Sequence, residues 1–394
     1  MEIFWSLMLV LVSCLSGPLA KAENFHWNLA NNPKNFHLPI TTRFEELPLG
    51  GQIDNSIWSG DYWGSYLVGA SFRWFPAPGD DPVNDFSRYA YPLLPMDKIK
   101  AEQVEGKSVY YYLDQDNKRV EIDLKILSPA EKYDLFSGDV NWSLTKRERV
   151  RTQIFSTVPT EAKDVTGNTD SAINFLFYPQ NDPARMGVRF QKLNLSDGGK
   201  QIPYWFGLCH AWAPATVLYR NPGPVEVVGP GGFAIPFGSA DVKALLTIAL
   251  DLSPQKSDDK AFLGNRCEVS LTILQEQIEA GLMTEEQALA ELRRPECSDT
   301  NPGAFHLILT NMVGLQKKGF VMDADRAQEV WNKGIYSYSV KVGTKRKLSA
   351  DYLRKFVDWL IYRRVQNAAV AIPVVVTVVW IKEMQNTWDR KVPI

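Results

Sequence analysis

The chain has 394 residues, 45% of them hydrophobic, which is enough for one large or two ordinary globular domains. Its formal net charge of −2 and isoelectric point near 6.2 exclude the strongly basic surface typical of nucleic-acid-binding proteins. Aromatic residues make up 12% of the chain and include 12 tryptophans, as in secreted proteins that bury rings against irregular backbone.

Residues 1–22 have the pattern of an export signal. The stretch IFWSLMLVLVS at 3–13 is apolar but too short to span a bilayer, and the AKA sequence ending at Ala22 fits a small-x-small cleavage site. An alternative interpretation takes LVSC at 11–14 as a lipobox, with Cys14 as the lipidated residue. Both interpretations predict a mature protein outside the cytoplasm, either secreted or periplasmic, without an integral membrane segment.

Residues 23–165 predict an aromatic-rich α+β region that precedes a soft domain boundary. The stretch 107–126 predicts a hairpin of two strands, with DQDNK as its turn. DQDNK lacks the glycine and the distal glutamate of a calcium loop, so a turn is the better interpretation. A helix is expected over 127–139, because Ser128 is a good cap and Pro129 suits the first helical position.

Three later stretches also have a clear pattern. Residues 238–252 predict a capped apolar helix, and 253–303 predict an insertion with two short helices. Residues 346–394 predict a helix followed by Val-rich strands. The apolar stretch within 367–383 is too short for a membrane span, and its valines with Pro373 favour buried strands.

Loss of the export signal would leave Cys209, Cys267 and Cys297. In an oxidising compartment, three cysteines can form one disulfide, which leaves one cysteine outside it. Cys267 and Cys297 flank the short helices, and a bridge between them would close a local loop and add ~3–4 kcal/mol on the loop-entropy argument. Cys209 is then left either as a reactive thiol or as a buried inert one.

A nucleophilic cysteine needs a base, usually a histidine, that holds it as a thiolate. His26 and His37 follow the export signal in an extended arm. His210 neighbours Cys209, but adjacent side chains diverge by about 100° on a helix. This elimination leaves His306 as the candidate base.

In the stretch GAFHLILT at 303–310, side chains are expected to alternate between two faces as in a strand. His306 would then lie on the same face as Ile308 and Thr310. The alternative is a histidine of a core or edge strand without a chemical role. That alternative loses weight because no other histidine is available to Cys209.

A third group should orient the imidazole and stabilise its charged form. GFVMD at 319–323 predicts a strand that ends at Asp323, and Asp325 follows as a cap or turn residue. We therefore expect His306 and Asp323 on adjacent strands, with Asp325 as the alternative carboxylate.

The stretch WFGLCHAWAP at 205–214 predicts the setting of the cysteine. Gly207 permits an unusual backbone turn, and the chain continues as a helix from Cys209, with a kink expected at Pro214. The N–H groups at a helix N-terminus stabilise a thiolate and the oxyanion of a tetrahedral intermediate.

Several stretches taken together resemble the secreted elicitor-type transglutaminase family. They are WSGDYW (58–63), LSPAEKYDLFSGD (127–139), WFGLCHAWAP (205–214), DVKALL (241–246), GNRCE (264–268), FHLILTNMVG (305–314), GFVMD (319–323) and EVWN (329–332). They cover residues 55–335 in the right order. The sequence LYRNPGPVE after the cysteine helix and the tail beyond 345 depart from the family pattern.

The resemblance implies an α+β fold with a papain-like transglutaminase core over 166–345 and an N-terminal aromatic-rich extension. In such a core the nucleophilic Cys209 sits at a helix N-terminus, packed on an antiparallel sheet that carries the base His306 and the acid Asp323. Because a disulfide would close it, the insertion at 253–303 is expected to cover the site.

The activity implied by the resemblance is acyl transfer without a required cofactor. The thiolate of Cys209 would attack a glutamine carboxamide, and the amine of a lysine or polyamine would resolve the thioester, or water would hydrolyse it. Trp205 and Trp212 would exclude water or simply pack in the core. Some transglutaminases need calcium, yet no carboxylate pattern in the sequence identifies a calcium site. A papain-like cysteine peptidase or amidase, and a non-catalytic protein recognised as an elicitor, are the alternatives.

Overall fold

The computed structural model describes residues 4–10, 29–55, 57–65, 69–74, 91, 93–151, 177–179, 188–190, 206–253, 261–297, 300–325, 329–347 and 370–383. The α-helices are α1 (Pro129–Ser137), α2 (Ser143–Arg151), α3 (Cys209–Leu218), α4 (Ser239–Leu252), α5 (Leu271–Glu279), α6 (Glu285–Leu292) and α7 (Pro302–Leu309). The strands are β1 (Phe4–Val10), β2 (Gly50–Gln52), β3 (Lys100–Val104), β4 (Lys107–Leu113), β5 (Arg119–Ile122), β6 (Phe177–Pro179), β7 (Val188–Phe190), β8 (Val225–Val228), β9 (Ala234–Phe237), β10 (Val321–Asp323), β11 (Asn332–Val342), β12 (Arg346–Lys347) and β13 (Val370–Trp380).

The described strands pair in antiparallel fashion, so the predicted α+β class is confirmed. None of the helices in the described ranges has the length and apolar character needed to cross a bilayer.

The chain divides into two compact units, each assembled from separate segments. The first unit comprises Met1–Ile57, Thr216–Arg220 and Ser253–Lys382. The second comprises Trp58–Ala215, Asn221–Leu252 and Glu383–Ile394. Helix α3 therefore contributes residues to both units. The domain boundaries expected from the sequence at 165 and 345 stay predictions.

The first unit contains a six-stranded antiparallel sheet in the order β1-β13-β11-β10, with β2 paired to β11 and β12 paired to β13. The Val-rich tail forms the single long strand β13. Its alternate side chains Ile372, Val374 and Val376 are buried, as expected for a strand with one face on a core. The predicted C-terminal helix lies outside the described residues. Strand β1 pairs with β13, and the export signal stays a prediction.

The insertion in the first unit contains the two predicted short helices, α5 and α6. Ser270 caps α5, and Thr284 forms a capping box with Gln287 at the start of α6. The predicted disulfide between Cys267 and Cys297 is present, with its Cα atoms 4.4 Å apart.

The stretch 303–310 is helical, so the strand predicted there is wrong. The side chain of Asn301 accepts hydrogen bonds from the first turn of α7, and Pro302 occupies its first position. Ala304 and Ile308, one turn apart, are fully buried. A short apolar run fits both a strand and a helix, and the Asn-Pro start signal upstream decides between them.

The second unit contains the three-stranded sheet β3-β4-β5 and two smaller hairpins. The predicted hairpin at 107–126 is confirmed as β4 and β5. The Asp114 carboxylate accepts the backbone N–H groups of Asp116 and Lys118, so DQDNK is the predicted turn. Strand β3 was not predicted from the sequence.

Helices α1 and α4 confirm the helices predicted at 127–139 and 238–252. At the start of α1 the Ser128 hydroxyl accepts the Glu131 N–H, and the Glu131 carboxylate accepts the Ser128 N–H. The apolar core beside these helices consists of Met96, Tyr110, Leu124, Leu127, Leu135, Trp142, Phe233, Ile235 and Phe237.

Two buried ion pairs connect α1 to other parts of the second unit. Lys132 Nζ lies 2.6 Å from Asp241 Oδ2 of α4, and neither side chain is exposed. Trp74 and the Gly238 N–H also donate to the Asp241 carboxylate.

The second pair joins Arg73 to Glu131. The guanidinium donates to both Glu131 oxygens, at 2.9 and 2.6 Å. Burial by itself would raise the pKa of Glu131, but the charge and hydrogen bonds of Arg73 outweigh it, so the pKa lies below its usual value. Buried charges are tolerated when they are paired and hydrogen-bonded, so these pairs favour one packing of the helices.

We expect Lys132→Met to lower the free energy of unfolding by ~3–5 kcal/mol, because it leaves the Asp241 carboxylate buried without its cation. Replacing both partners, as in Lys132→Met with Asp241→Leu, should recover much of that loss. Urea denaturation followed by circular dichroism measures both effects. The control is Arg119→Met, which breaks the exposed pair with Glu102 and should cost at most ~1 kcal/mol. Equal losses for Lys132→Met and Arg119→Met would contradict the prediction.

Candidate active site

Cys209 is the first residue of α3, and it is only 5% exposed. It is not part of the disulfide. The preceding residue sets the start of the helix. The N–H of Leu208 donates to the Tyr62 carbonyl at 2.7 Å, and the Leu208 carbonyl accepts the N–H groups of Ala211 and Trp212. The thiol thus lies at the end of α3 where the peptide dipoles favour negative charge.

Gly207 is required for close approach of two backbone segments. A Cβ atom there would lie 2.6 Å from the Tyr62 ring and 2.7 Å from the Tyr62 carbonyl oxygen. Its φ is outside the left-handed region. The glycine is therefore required for the space that Tyr62 occupies, and the unusual turn expected at Gly207 stays a prediction.

The segment Trp58–Trp63 packs along the same end of α3. A Cβ atom on Gly60 would lie 2.7 Å from Nε1 of Trp212, one helical turn after Cys209. Trp212 is fully buried, and its Nε1 has no hydrogen-bond partner within the described ranges. This position supports the core-packing interpretation of Trp212. Trp205 lies outside the described residues.

Asp61 belongs to this segment and was not singled out from the sequence. Its Oδ1 accepts the N–H of Trp63 at 3.0 Å. Burial raises the pKa of Asp61 to about 6, and the negative charge of Glu383 acts in the same direction. The signal in the sequence that could have identified Asp61 is the WSGDYW motif. This motif is one of the stretches that resemble the family, but no role was assigned to it.

The side chain of His210 is directed towards Asp251. Its Nε2 lies 2.8 Å from Asp251 Oδ1 of α4, and 54% of the side chain is exposed. The expected divergence of His210 from the buried Cys209 is therefore confirmed.

His306 lies in α7 of the first unit and is 2% exposed. Its ring stacks on Phe44, with the ring centroids 6.3 Å apart and an interplanar angle of 23°. Nδ1 is buried and lacks a hydrogen-bond partner in the described part of the chain. Burial lowers the pKa of His306 to about 4, so the imidazole is neutral at pH 7. A negative charge placed against it would raise that pKa.

Asp323 ends β10, where it pairs with Asn332, so the predicted strand ending at this residue is confirmed. Its Oδ1 accepts the N–H groups of Asp325 at 3.1 Å and Trp331 at 2.9 Å. These two bonds close the connection between β10 and β11. Among the described residues, no hydrogen bond joins Asp323 to His306.

The structure brings α7 close to the segment that leads into β10, since the rings of Phe305 and Phe320 meet edge to face at 6.1 Å. His306 is on a helix and Asp323 on a strand, so the predicted sheet carrying both residues is wrong for His306. Cys209 belongs to the second unit, and the other two to the first.

No group of three or more His, Cys, Asp or Glu side chains within the described ranges is arranged to hold a metal ion. The calcium dependence of the protein stays a prediction.

Comparisons with known proteins give one family. The sequence profile of the transglutaminase elicitor family matches residues 94–388, a range that includes the positions of all three candidate residues. A search of the curated proteins finds no match. Among solved structures, the chain is similar to the GP42 transglutaminase from Phytophthora sojae, with 20% identity and a TM-score of 0.47 over 90% of this chain and 74% of that chain.

We expect Gly207→Ala to lower the free energy of unfolding by ~1–3 kcal/mol, because the added methyl group meets the Tyr62 backbone. Gly223 is the matched control, because a Cβ atom there meets nothing within 4 Å. Gly223→Ala should change stability by less than ~1 kcal/mol. Urea denaturation compares the two, and similar losses would show that the space beside Tyr62 is not limiting.

Burial of His306 also predicts a pH dependence of stability. The folded-state pKa of about 4 lies below the usual histidine value of 6.5, so between these values the unfolded state binds more protons. The resulting stability is fully present above pH 6.5 and falls by about 3 kcal/mol as the pH drops through 4. His306→Gln should remove this part of the acid sensitivity in urea titrations at neutral and acid pH. The exposed His210, changed to Gln, is the control. Unaltered acid sensitivity of His306→Gln would contradict the prediction.

Proposed function

The chain belongs to the transglutaminase elicitor family, and on that premise we propose that it is a protein-glutamine γ-glutamyltransferase with Cys209 as its nucleophile. The observation that carries this proposal is the place of Cys209. It lies outside the disulfide and is held at the first position of a helix by the contacts of Leu208 and Gly207 with Tyr62. Such a position stabilises the thiolate form that attacks an amide.

His306 is the proposed base and Asp323 the proposed orienting acid. The neutral imidazole of His306 is in the protonation state that accepts a proton from a thiol. Asp323 lies in the same unit, at the end of a short strand, and two backbone N–H groups hold its Oδ1. An oriented carboxylate next to the imidazole would stabilise the charged form that follows proton transfer.

In the proposed reaction, His306 takes the thiol proton, and the Cys209 sulfur attacks the carboxamide carbon of a glutamine side chain. The tetrahedral intermediate collapses as His306 gives its proton to the departing ammonia, which leaves a thioester. The amine of a lysine or polyamine then attacks the thioester carbon and loses a proton to His306. The bond to sulfur breaks, His306 returns its proton to the Cys209 sulfur, and the isopeptide product leaves. Water in place of the amine would yield glutamate.

The substrates are therefore proposed to be proteins with accessible glutamine and lysine side chains, or polyamines as the amine. The Cys267–Cys297 disulfide supports action outside the cytoplasm, because oxidising compartments preserve such bonds.

One observation favours a second candidate function, a non-catalytic protein recognised as an elicitor. Nδ1 of His306 has no partner within the described ranges, and Asp323 makes hydrogen bonds to backbone in its own connection. An imidazole without an orienting acceptor is a poor catalyst. On this alternative, Cys209→Ala would keep the recognised activity in full.

A cysteine peptidase or amidase would use the same three residues and the same thioester. The assay below distinguishes it from acyl transfer, because a peptidase cleaves peptide bonds and does not incorporate an amine.

Incorporation of a labelled alkyl amine into a glutamine-bearing protein measures the proposed activity. We expect Cys209→Ala to abolish incorporation and His306→Gln to lower kcat/KM by about 10²–10⁴-fold, as for loss of a general base. Asp323→Ala should have a smaller effect than His306→Gln, since it removes an orienting group.

Asp325→Ala is the matched control for the carboxylate, because it removes a neighbouring carboxylate and keeps the backbone N–H that Asp325 donates to Asp323 in the turn. A larger loss with Asp325→Ala than with Asp323→Ala would show that the other aspartate is the orienting acid. Full incorporation by Cys209→Ala would refute the enzyme proposal. Circular dichroism of each variant excludes misfolding as the cause of a loss.

A further inference from the structure

The disulfide-closed insertion is strongly acidic. The acidic hairpin, defined as Cys267–Cys297 with helices α5 and α6, contains seven glutamates, two arginines and no lysine, a net charge of −5. The entire chain has a net charge of only −2, so the rest of the protein is weakly positive. The charge is therefore concentrated in this element and is not a general property of the surface.

The same hairpin exposes large apolar side chains. Leu282 is 79% exposed, Ile273 52% and Leu289 51%. Leu274 and Ala288, by contrast, are buried and provide the packing of α5 and α6. The exposed leucines are thus additional to those that hold the hairpin together.

Acidic and apolar groups are combined on α6. Glu285 and Glu286 lie four and three residues before Leu289, which places all three side chains on one side of the helix. Both glutamates are exposed and have no ion pair within the described ranges. A ligand with alternating cationic and apolar groups would match this side of α6 in both respects.

The hairpin is also preorganised. The disulfide joins its two ends, and side-chain caps begin both helices. A rigid surface loses less conformational entropy on binding than a mobile loop does. This arrangement favours a binding surface over a solvated connection.

The negative charge of the acidic hairpin limits which partners can bind its exposed apolar side chains. A second copy of the hairpin, an anionic membrane surface and a nucleic acid all carry negative charge and would be repelled. A basic amphipathic segment of another protein would be attracted.

We propose that the acidic hairpin binds the lysine-rich segment of the protein that supplies the acceptor amine. This inference rests on the proposed transferase function and adds its acceptor class. In the chain, the hairpin ends at Cys297, and α7 with His306 begins five residues later, at Pro302. The element that binds the lysine segment would thus directly precede the helix whose histidine takes the proton of the attacking amine.

Binding is tested with the full chain carrying Cys209→Ala, so that no turnover occurs. The probe is a short fluorescent amphipathic peptide of lysine and leucine, and the comparison probe has glutamate in place of lysine. By fluorescence anisotropy at low salt, Glu285→Lys with Glu286→Lys should weaken binding of the lysine peptide about tenfold or more. The effect should shrink at about 1 M salt, where the Debye length is ~3 Å. Leu282→Ser with Leu289→Ser should also weaken binding severalfold.

Matched controls lie on the second unit. Val225→Ser with Val228→Ser removes apolar groups that are 47% and 66% exposed, and Glu105→Lys with Glu226→Lys makes the same change in total charge. Neither control should alter binding. Equal binding of the lysine and glutamate peptides, or equal losses in hairpin and control variants, would overturn the proposal. So would leucine-dependent binding to anionic phospholipid vesicles.

Transfer is then measured with the Cys209 enzyme. The ratio of kcat/KM for the lysine peptide to kcat/KM for a small alkyl amine should fall about tenfold in the Glu285→Lys with Glu286→Lys variant. If no amine is incorporated at all while the hairpin-dependent binding remains, the transferase proposal fails and the binding surface stands. If transfer occurs but the ratio is unchanged, the hairpin proposal fails and the transferase stands.

Discussion

The hydrogen bond from the Leu208 N–H to the Tyr62 carbonyl decides where the helix that starts at Cys209 begins. It forms only because Gly207 has no side chain to hold Tyr62 away. The thiol is consequently at the first helical position, beside N–H groups that have no partner within the helix. The proposed chemistry depends on this placement, since a cysteine one turn later would lose the favourable end of the helix.

His306 illustrates a different constraint, the cost of burying an ionisable group. Its ring packs on Phe44 and is almost completely excluded from solvent, so the neutral form is favoured. A buried neutral imidazole is suited to accept a proton when a neighbouring negative charge compensates for the positive charge that the imidazole gains. The second unit uses the opposite arrangement, because Lys132 and Asp241 are buried as a pair in which each compensates the other.

Much of the fold was predictable because its signals are local. The Ser128 capping box, the Asp114 turn and the pattern of helix α4 each depend on a few neighbouring residues. The stretch 303–310 was predicted wrongly because its short apolar run fits both a strand and a helix. Asn301, which caps the helix, is the residue that indicates a helix there. The disulfide was predicted from cysteine counting, since only one pairing leaves a short closed loop.

The sequence alone determined the class of the fold, the pairing of Cys267 with Cys297, the start of a helix at Cys209 and the strand that ends at Asp323. Only the tertiary structure decided the interleaved division of the chain into two units, the stacking of His306 on Phe44 and the close approach of Gly207 to Tyr62. The physical reason is the range of the interactions. Caps, turns and helix periodicity act over a few residues, and burial and backbone contact depend on segments that are far apart in the chain.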